Sequence, residues 1–190
     1  METNKEDSLQ KRKLILQAAV DCFVRQGFSE TSMQDIVQES GLSSEVVLGL
    51  FPSKLDVLRV AGNANASSAY TMLSGLLEES SLAPVPELVG RSAEFISAVG
   101  DPMRMVPQIW GVAAYDAEVN GLVSPVLVEL QNYWISLSKR MSDEGRLPDG
   151  ADPEDLGRVL ACLITGYMVQ SVLNDVEPGQ LRRGLRALAG

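Results

Sequence analysis

The residues whose types and spacing could do chemistry lie between Arg12 and Leu58, and that chemistry is recognition rather than bond-making. Gly27 and Gly41 break the stretch into three short helical segments, and Phe51-Pro52-Ser53-Lys54 closes it. Three compact helices with a glycine-containing turn before a short third one are the parts of a helix-turn-helix reader of double-stranded DNA. Bond-making chemistry has little support. The chain has no histidine, which removes most metal sites, Ser-His-Asp and Cys-His nucleophile systems and the usual general base. Its two cysteines, Cys22 and Cys162, stand far apart among apolar neighbours and read as buried thiols. No catalytic residue, metal or cofactor is expected, and the chain is not expected to be an enzyme.

The elements that must position the recognition residues are all helical. A first helix is expected from about Ser8 to Gln26, with Ile15, Ala18, Ala19, Cys22 and Phe23 on its buried face and Gly27 as its stop. Ser32 with Asp35 reads as a capping box for a second helix that ends at Gly41. Ser43 caps the third, anchored by Val47 and Phe51 and stopped by Pro52. Ser53 with Asp56 caps a long fourth helix to about Glu79, with Gly62 and Asn63 able to bend it. A loop from Leu82 to Pro86 precedes a fifth helix, and Gly100-Asp101-Pro102 separates that from a sixth. Gly121 to Pro125 is expected to punctuate the junction with a seventh, which carries Leu127, Leu130, Trp134, Leu137 and Met141. Asp152-Pro153 is a helix start, opening an eighth helix that is apolar nearly all round; Pro178 starts a ninth. The fold class is therefore all-α, about nine helices, with an N-terminal helix-turn-helix domain and a C-terminal helical domain.

Charge bears on the DNA reading. Formal net charge is −9, so long-range attraction to DNA is weak and any contact must come from a local basic patch. No Lys or Arg occurs from Gln26 to Ser53, whereas Glu30, Asp35, Glu39 and Glu45 do. Lys11, Arg12 and Lys13 are the nearest compensating cations. The expected consequence is a shallow dependence of binding on salt. No apolar run approaches the roughly 20 residues of a bilayer span, and the polar N-terminus does not read as a signal peptide. A cytoplasmic location, with no membrane partner, is the expectation.

Several positions together resemble the TetR family of transcriptional regulators: Ile15-Leu16, Ala18-Ala19, Phe23, Gly27-Phe28, Thr31-Ser32, Asp35-Ile36, Gly41-Leu42-Ser43 and Phe51-Pro52-Ser53-Lys54. Trp110, Gly145-Arg146-Leu147-Pro148, Asp152-Pro153, Gly166 and Gln170 add a looser similarity to one subgroup. The resemblance implies a homodimer with a DNA-binding domain over 1–54 and an effector-binding and dimerisation domain over 55–190. It implies a repressor of a palindromic operator, released by a small molecule. Matched position by position, the DNA-facing residues are Ser32, Gln34, Ser43, Ser44, Glu45, Val46, Leu48, Gly49 and Lys54. Hydroxyls and helix N-termini would meet phosphates, Gln34 an adenine, Val46 or Leu48 a thymine methyl, and Lys54 would clamp a phosphate. The uncharged third helix keeps a second reading open, a ligand-binding or protein-interaction module with weak or lost DNA binding.

In the C-terminal part, large apolar residues at helical spacing read either as plain core or as the lining of an effector pocket. The pocket candidates are Phe95, Met105, Ile109, Trp110, Ala113, Tyr133, Trp134, Leu137, Leu163 and Tyr167. With few basic residues nearby, a neutral or cationic and largely apolar effector is expected. The dimer is expected to form through about 156–188, with Gly157, Ala161 and Gly166 permitting close helix approach.

Overall fold

The computed structural model describes residues 2–188. Met1, Ala189 and Gly190, the outer ends of the two expected domains, lie outside the described residues. Among the described residues there are nine α-helices, one 3-10 turn and no strand. They are α1 (Glu2–Gln26), α2 (Met33–Ser40), α3 (Ser44–Leu50), α4 (Lys54–Glu78), α5 (Val85–Val99), α6 (Met105–Ala113), α7 (Ala117–Asp143), α8 (Pro153–Leu173) and α9 (Pro178–Leu188); the 3-10 turn, Asp101–Arg104, leads into α6.

Most starts follow from local chemistry. Ser32 and Asp35 form the reciprocal capping box expected of them, and Gly41 ends α2 in the left-handed region at φ 67°. Ser43 caps α3, Ser53 caps α4 and Asp152 caps α8, each through its side-chain oxygen. One junction differs from expectation. Gly121 to Pro125 does not separate two helices but lies inside the 27-residue α7. The break falls earlier, where Asp116 accepts hydrogen bonds from the backbone N–H groups of Glu118 and Val119 at 2.9 and 3.0 Å. A proline ring inside a helix collides with the carbonyl four residues back. Here that position is Gly121, whose lack of a side chain lets the backbone give way. The bend expected at Gly62 and Asn63 does not interrupt α4 either, which runs unbroken for 25 residues.

Three apolar clusters hold the helices together. The first joins the buried faces of α1 to α3 with the start of α4 and with α6, through Ile15, Phe23, Ile36, Val47, Phe51, Val57, Met105 and Ile109. The second lies among α4, α5, α7 and α8, around Leu76, Leu88, Trp134, Leu137 and Leu160. The third, Ala93, Ile96 and Tyr167, sits between α5 and α8. Gly157 is buried against α7, and a Cβ there would fall on the backbone of Ile135. That glycine therefore serves an intramolecular contact rather than the dimer approach expected of it. Ala161 likewise packs beside the second cluster, while Gly166 faces open space. α9 docks on α5 through Arg182, which pairs with Glu87 and Glu94, and through Arg186, which pairs with Glu87.

The expectation that no apolar segment reaches spanning length is corrected by α8. By length and composition it suffices to cross a membrane, with a mean hydropathy of 1.5. Its charged residues, Glu154, Asp155 and Arg158, are confined to its first turns. Val159, Cys162, Gly166, Gln170 and Leu173 are all exposed and recur at helical spacing, so one apolar stripe of α8 is left uncovered by this chain.

Candidate functional site

The recognition residues are presented by a rigid scaffold. Phe23 and Phe28 pack with ring centroids 5.2 Å apart, and an Arg25–Glu39 ion pair at 2.8 Å ties α1 to α2. At the start of α2, Asp35 accepts from the Ser32 backbone N–H at 2.7 Å and returns its own N–H to the Ser32 hydroxyl at 3.2 Å. The Ser32 hydroxyl also donates to the Asp35 carboxylate at 2.7 Å, and this bond together with that from the Ser32 backbone N–H holds the carboxyl below the usual carboxylate range. At the start of α3, the Ser43 hydroxyl accepts from the Val46 N–H at 3.4 Å.

On that scaffold Ser32, Gln34, Ser43, Ser44, Glu45, Leu48 and Gly49 are exposed, and Val46 is half-buried. Leu48 is 44% exposed on a seven-residue helix, an apolar side chain presented rather than packed. Nothing lies within 4 Å of where a Gly49 Cβ would stand, so that position is open for close approach of a partner.

Lys54 behaves differently from the phosphate clamp expected of it. Its ammonium donates to the carbonyls of Phe28, Ser29 and Thr31 at 2.7, 3.2 and 2.9 Å, which engages all three of its donors. It also lies 4.6 Å from the centroid of the Phe28 ring. Burial pushes its pKa below the ordinary lysine value, with Glu30 pulling the other way. Lys54 thus fastens the first turn of α4 to the turn between α1 and α2. The nearby cations are also engaged: Lys11 pairs with Asp7 at 2.5 Å, and Arg12 sits over the Phe51 ring, 5.2 Å from its centroid.

In the C-terminal part the pocket candidates are spread over three apolar clusters. Met105, Ile109 and Ala113 belong to the first cluster, Trp134 and Leu137 to the second with Tyr133 and Leu163 at its margin, and Tyr167 to the third. Phe95 and Trp110 are half-buried. The Tyr167 hydroxyl is buried without a protein partner among the described residues. A cleft of about 430 Å³ lies elsewhere, between α4 and α7. Arg59, Asn63, Ser67, Tyr70, Gly121 and Glu129 supply its polar groups, and Ala66, Leu122, Pro125 and Val126 its apolar wall.

Comparison with known proteins gives a family match over the N-terminal part of the chain. Residues 15–61 match the model of the bacterial regulatory proteins, tetR family. The match spans the helix-turn-helix segment and the start of α4. No curated protein matched it in sequence. Among solved structures, Salmonella enterica GusR is similar over 95% of each chain, at 21% identity and a TM-score of 0.78. A TetR transcription regulator from Haloarcula marismortui covers 92% of this chain and 94% of its own, at 18% identity and 0.75. A Saccharomonospora viridis protein solved in complex with choline covers 94% of each, at 22% identity and 0.75. At these identities the structural likeness establishes the fold.

The structure adds a contact that the sequence did not announce. Gln108 of α6 accepts a hydrogen bond from the Phe28 backbone N–H at 3.3 Å, 80 residues away in sequence. Gly27 allows it: its φ of 92° suits glycine, and a Cβ there would stand 3.3 Å from the Gln108 side-chain oxygen. The turn from Gly27 to Thr31 is therefore held from two sides, by Lys54 of α4 and Gln108 of α6. Nothing in the sequence pointed to Gln108 in this role, nor to Arg59, Tyr70 and Glu129 as cleft residues. Only the i, i+4 spacing of Gly121, Pro125 and Glu129 could have put the last of these on a common face.

Proposed function

We propose that this chain is a ligand-responsive transcriptional regulator of the tetR family that binds a palindromic operator as a homodimer and is released by a small molecule. The observation that carries this reading is the exposed face of α2 and α3. There, Ser32, Gln34, Ser44, Glu45, Leu48 and Gly49 are displayed on helices locked from behind by caps and by the first cluster. Their roles are those of a major-groove reader: the Ser44 hydroxyl and the backbone amides at the helix starts for phosphates, Gln34 for an adenine edge, Leu48 for a thymine methyl. DNA binding belongs to 1–54, and effector binding and dimerisation to 55–190. The uncovered stripe of α8 supports the dimer, since a second copy would bury Val159 and Leu173 against their own counterparts. The proposed DNA partner supports a cytoplasmic location. The choline bound to the Saccharomonospora viridis protein supports a small-molecule effector here.

The test is footprinting of the purified protein on the intergenic DNA upstream of its own gene, across a salt series. A protected, two-fold symmetric site is the expected result. Gly49→Glu should abolish protection, because it adds an anion to the open face without touching the core. The engagement of Lys54 within the protein favours the second reading, a ligand- or partner-binding module with weak or lost DNA contact. A folded dimer that protects nothing even at low salt would establish that reading instead.

A further inference from the structure

The cleft between α4 and α7 has a definite electrostatic character. Arg59 on its rim is neutralised by Asp56 at 2.8 Å. Glu129 has no ion pair among the described residues, so the charge left without a partner in the cleft is negative. Beside it, Tyr70 and Tyr133 stack with centroids 5.5 Å apart and planes 28° from parallel, giving the Tyr70 face a rigid backing. Burial and the nearby Glu129 carboxylate push the Tyr70 phenol up to about 12, so it stays neutral at physiological pH. Pro125 has no N–H, so the Gly121 carbonyl on the same wall lacks its usual intrahelical donor and adds a second acceptor.

We propose that this cleft is the effector site and that it takes an organic ammonium ion with an apolar body. This rests on the ligand-responsive reading above. A carboxylate, a freed carbonyl and an aromatic face are the groups that favour a cation, and the cation–aromatic attraction grows once water is excluded. Ala66, Leu122 and Val126 accept the apolar body. An anion would face Glu129 with no free cation to offset it. The site also has a route to the DNA-binding end: Arg59 is little more than one helical turn from Lys54 on the same helix, and Lys54 holds the Phe28–Thr31 turn. A ligand that parts α4 from α7 pulls on that fastening.

The test uses the full chain and three probes that share a benzyl or phenyl group and differ in charge: benzyltrimethylammonium, benzyl alcohol and benzoate. Calorimetric titration and thermal melts should show that the ammonium binds and raises Tm while the other two do so weakly or not at all. Glu129→Gln should weaken ammonium binding by about tenfold or more. The unliganded Tm of this variant should stay within about 2 °C of the parent, as befits a residue at an open cleft. Ser67→Trp, which fills the cleft from an exposed position, should abolish binding. Tighter binding of benzoate or benzyl alcohol would overturn the cationic class. Ammonium binding unchanged in both variants would overturn the cleft as the site, and no binding by any probe would overturn the proposal altogether. Footprinting of the same samples separates this from the regulator reading: operator protection without ammonium binding refutes the cleft alone, and ammonium binding without protection supports the cleft while removing DNA recognition.

Discussion

Replacing Lys54 with methionine keeps the apolar stem and removes the ammonium, which isolates the fastening between α4 and the turn that follows α1. Two of the three carbonyls it serves, those of Phe28 and Thr31, are partly buried, while the Ser29 carbonyl is reached by solvent. A hydrogen bond to a charged group contributes about 1.5–3 kcal/mol. Partial exposure here brings each of the two partly buried ones to about 1 kcal/mol. The contact with the Phe28 ring adds about 0.5 kcal/mol at a partly exposed site. The third carbonyl regains water and contributes little. The expected destabilisation is therefore about 2–3 kcal/mol. For a chain of this size each kcal/mol moves Tm by about 2–4 °C, so a fall of about 4–12 °C is expected. Thermal unfolding by circular dichroism, without DNA, measures it. A residue whose main partner is a phosphate would behave oppositely, with Tm unchanged and the salt slope of operator binding reduced by about 0.9 per protomer. That second outcome would refute the assignment of Lys54 to an internal role.

Other perturbations test separate parts of the structure. Gly157→Ala should cost about 1–3 kcal/mol, read as a lower Tm, because its Cβ would meet the Ile135 backbone; no change would mean that α7 and α8 are less closely packed than described. Mild oxidation should link two chains through exposed Cys162 on the uncovered stripe of α8, seen as a dimer on a non-reducing gel, and Cys162→Ser should prevent it while Cys22→Ser does not, since Cys22 is buried. The carboxyls of Asp35, Asp56, Glu79 and Glu87 are all held below their ordinary values by the hydrogen bonds or ion pairs they make. A lowered folded-state pKa stabilises above the unfolded value and is lost as pH falls through the folded one, so Tm should hold near neutrality and drop below about pH 5, with Asp35→Asn flattening the drop. Operator affinity should fall with salt at a slope shallower than about −4 per dimer, since Lys11 and Lys13 are the cations nearest the reading face without a role in the core; a steeper slope would mean that further phosphates are neutralised.

What the sequence determined by itself was local. The capping pairs Ser32 with Asp35 and Ser53 with Asp56, and the Asp152-Pro153 start, form hydrogen bonds within a turn of the chain. Residue type and spacing therefore suffice to place helix starts and the helix-turn-helix order. Periodicity likewise marked the apolar face of α1, and composition marked α8 as apolar nearly all round. Neither said what covers them, because a 3.6-residue repeat specifies a face and not a neighbour. Met105, Ile109 and Ala113 carry the pattern of a pocket wall yet belong to the apolar cluster that α6 shares with α1 and α7. Pro125 signalled a break that Gly121, one turn back, allowed the helix to avoid. Lys54 and Gln108 gave no local sign of their roles, since their partners in the turn after α1 lie 26 and 80 residues away. The acidic cleft is a further case: Arg59 and Glu129 are ordinary surface charges in sequence, and only the packing of α4 on α7 brings them to one opening and leaves the carboxylate without a counterion. Contacts across such distances depend on how the helices stack, and stacking is the sum of many weak apolar contacts that no short stretch of sequence contains.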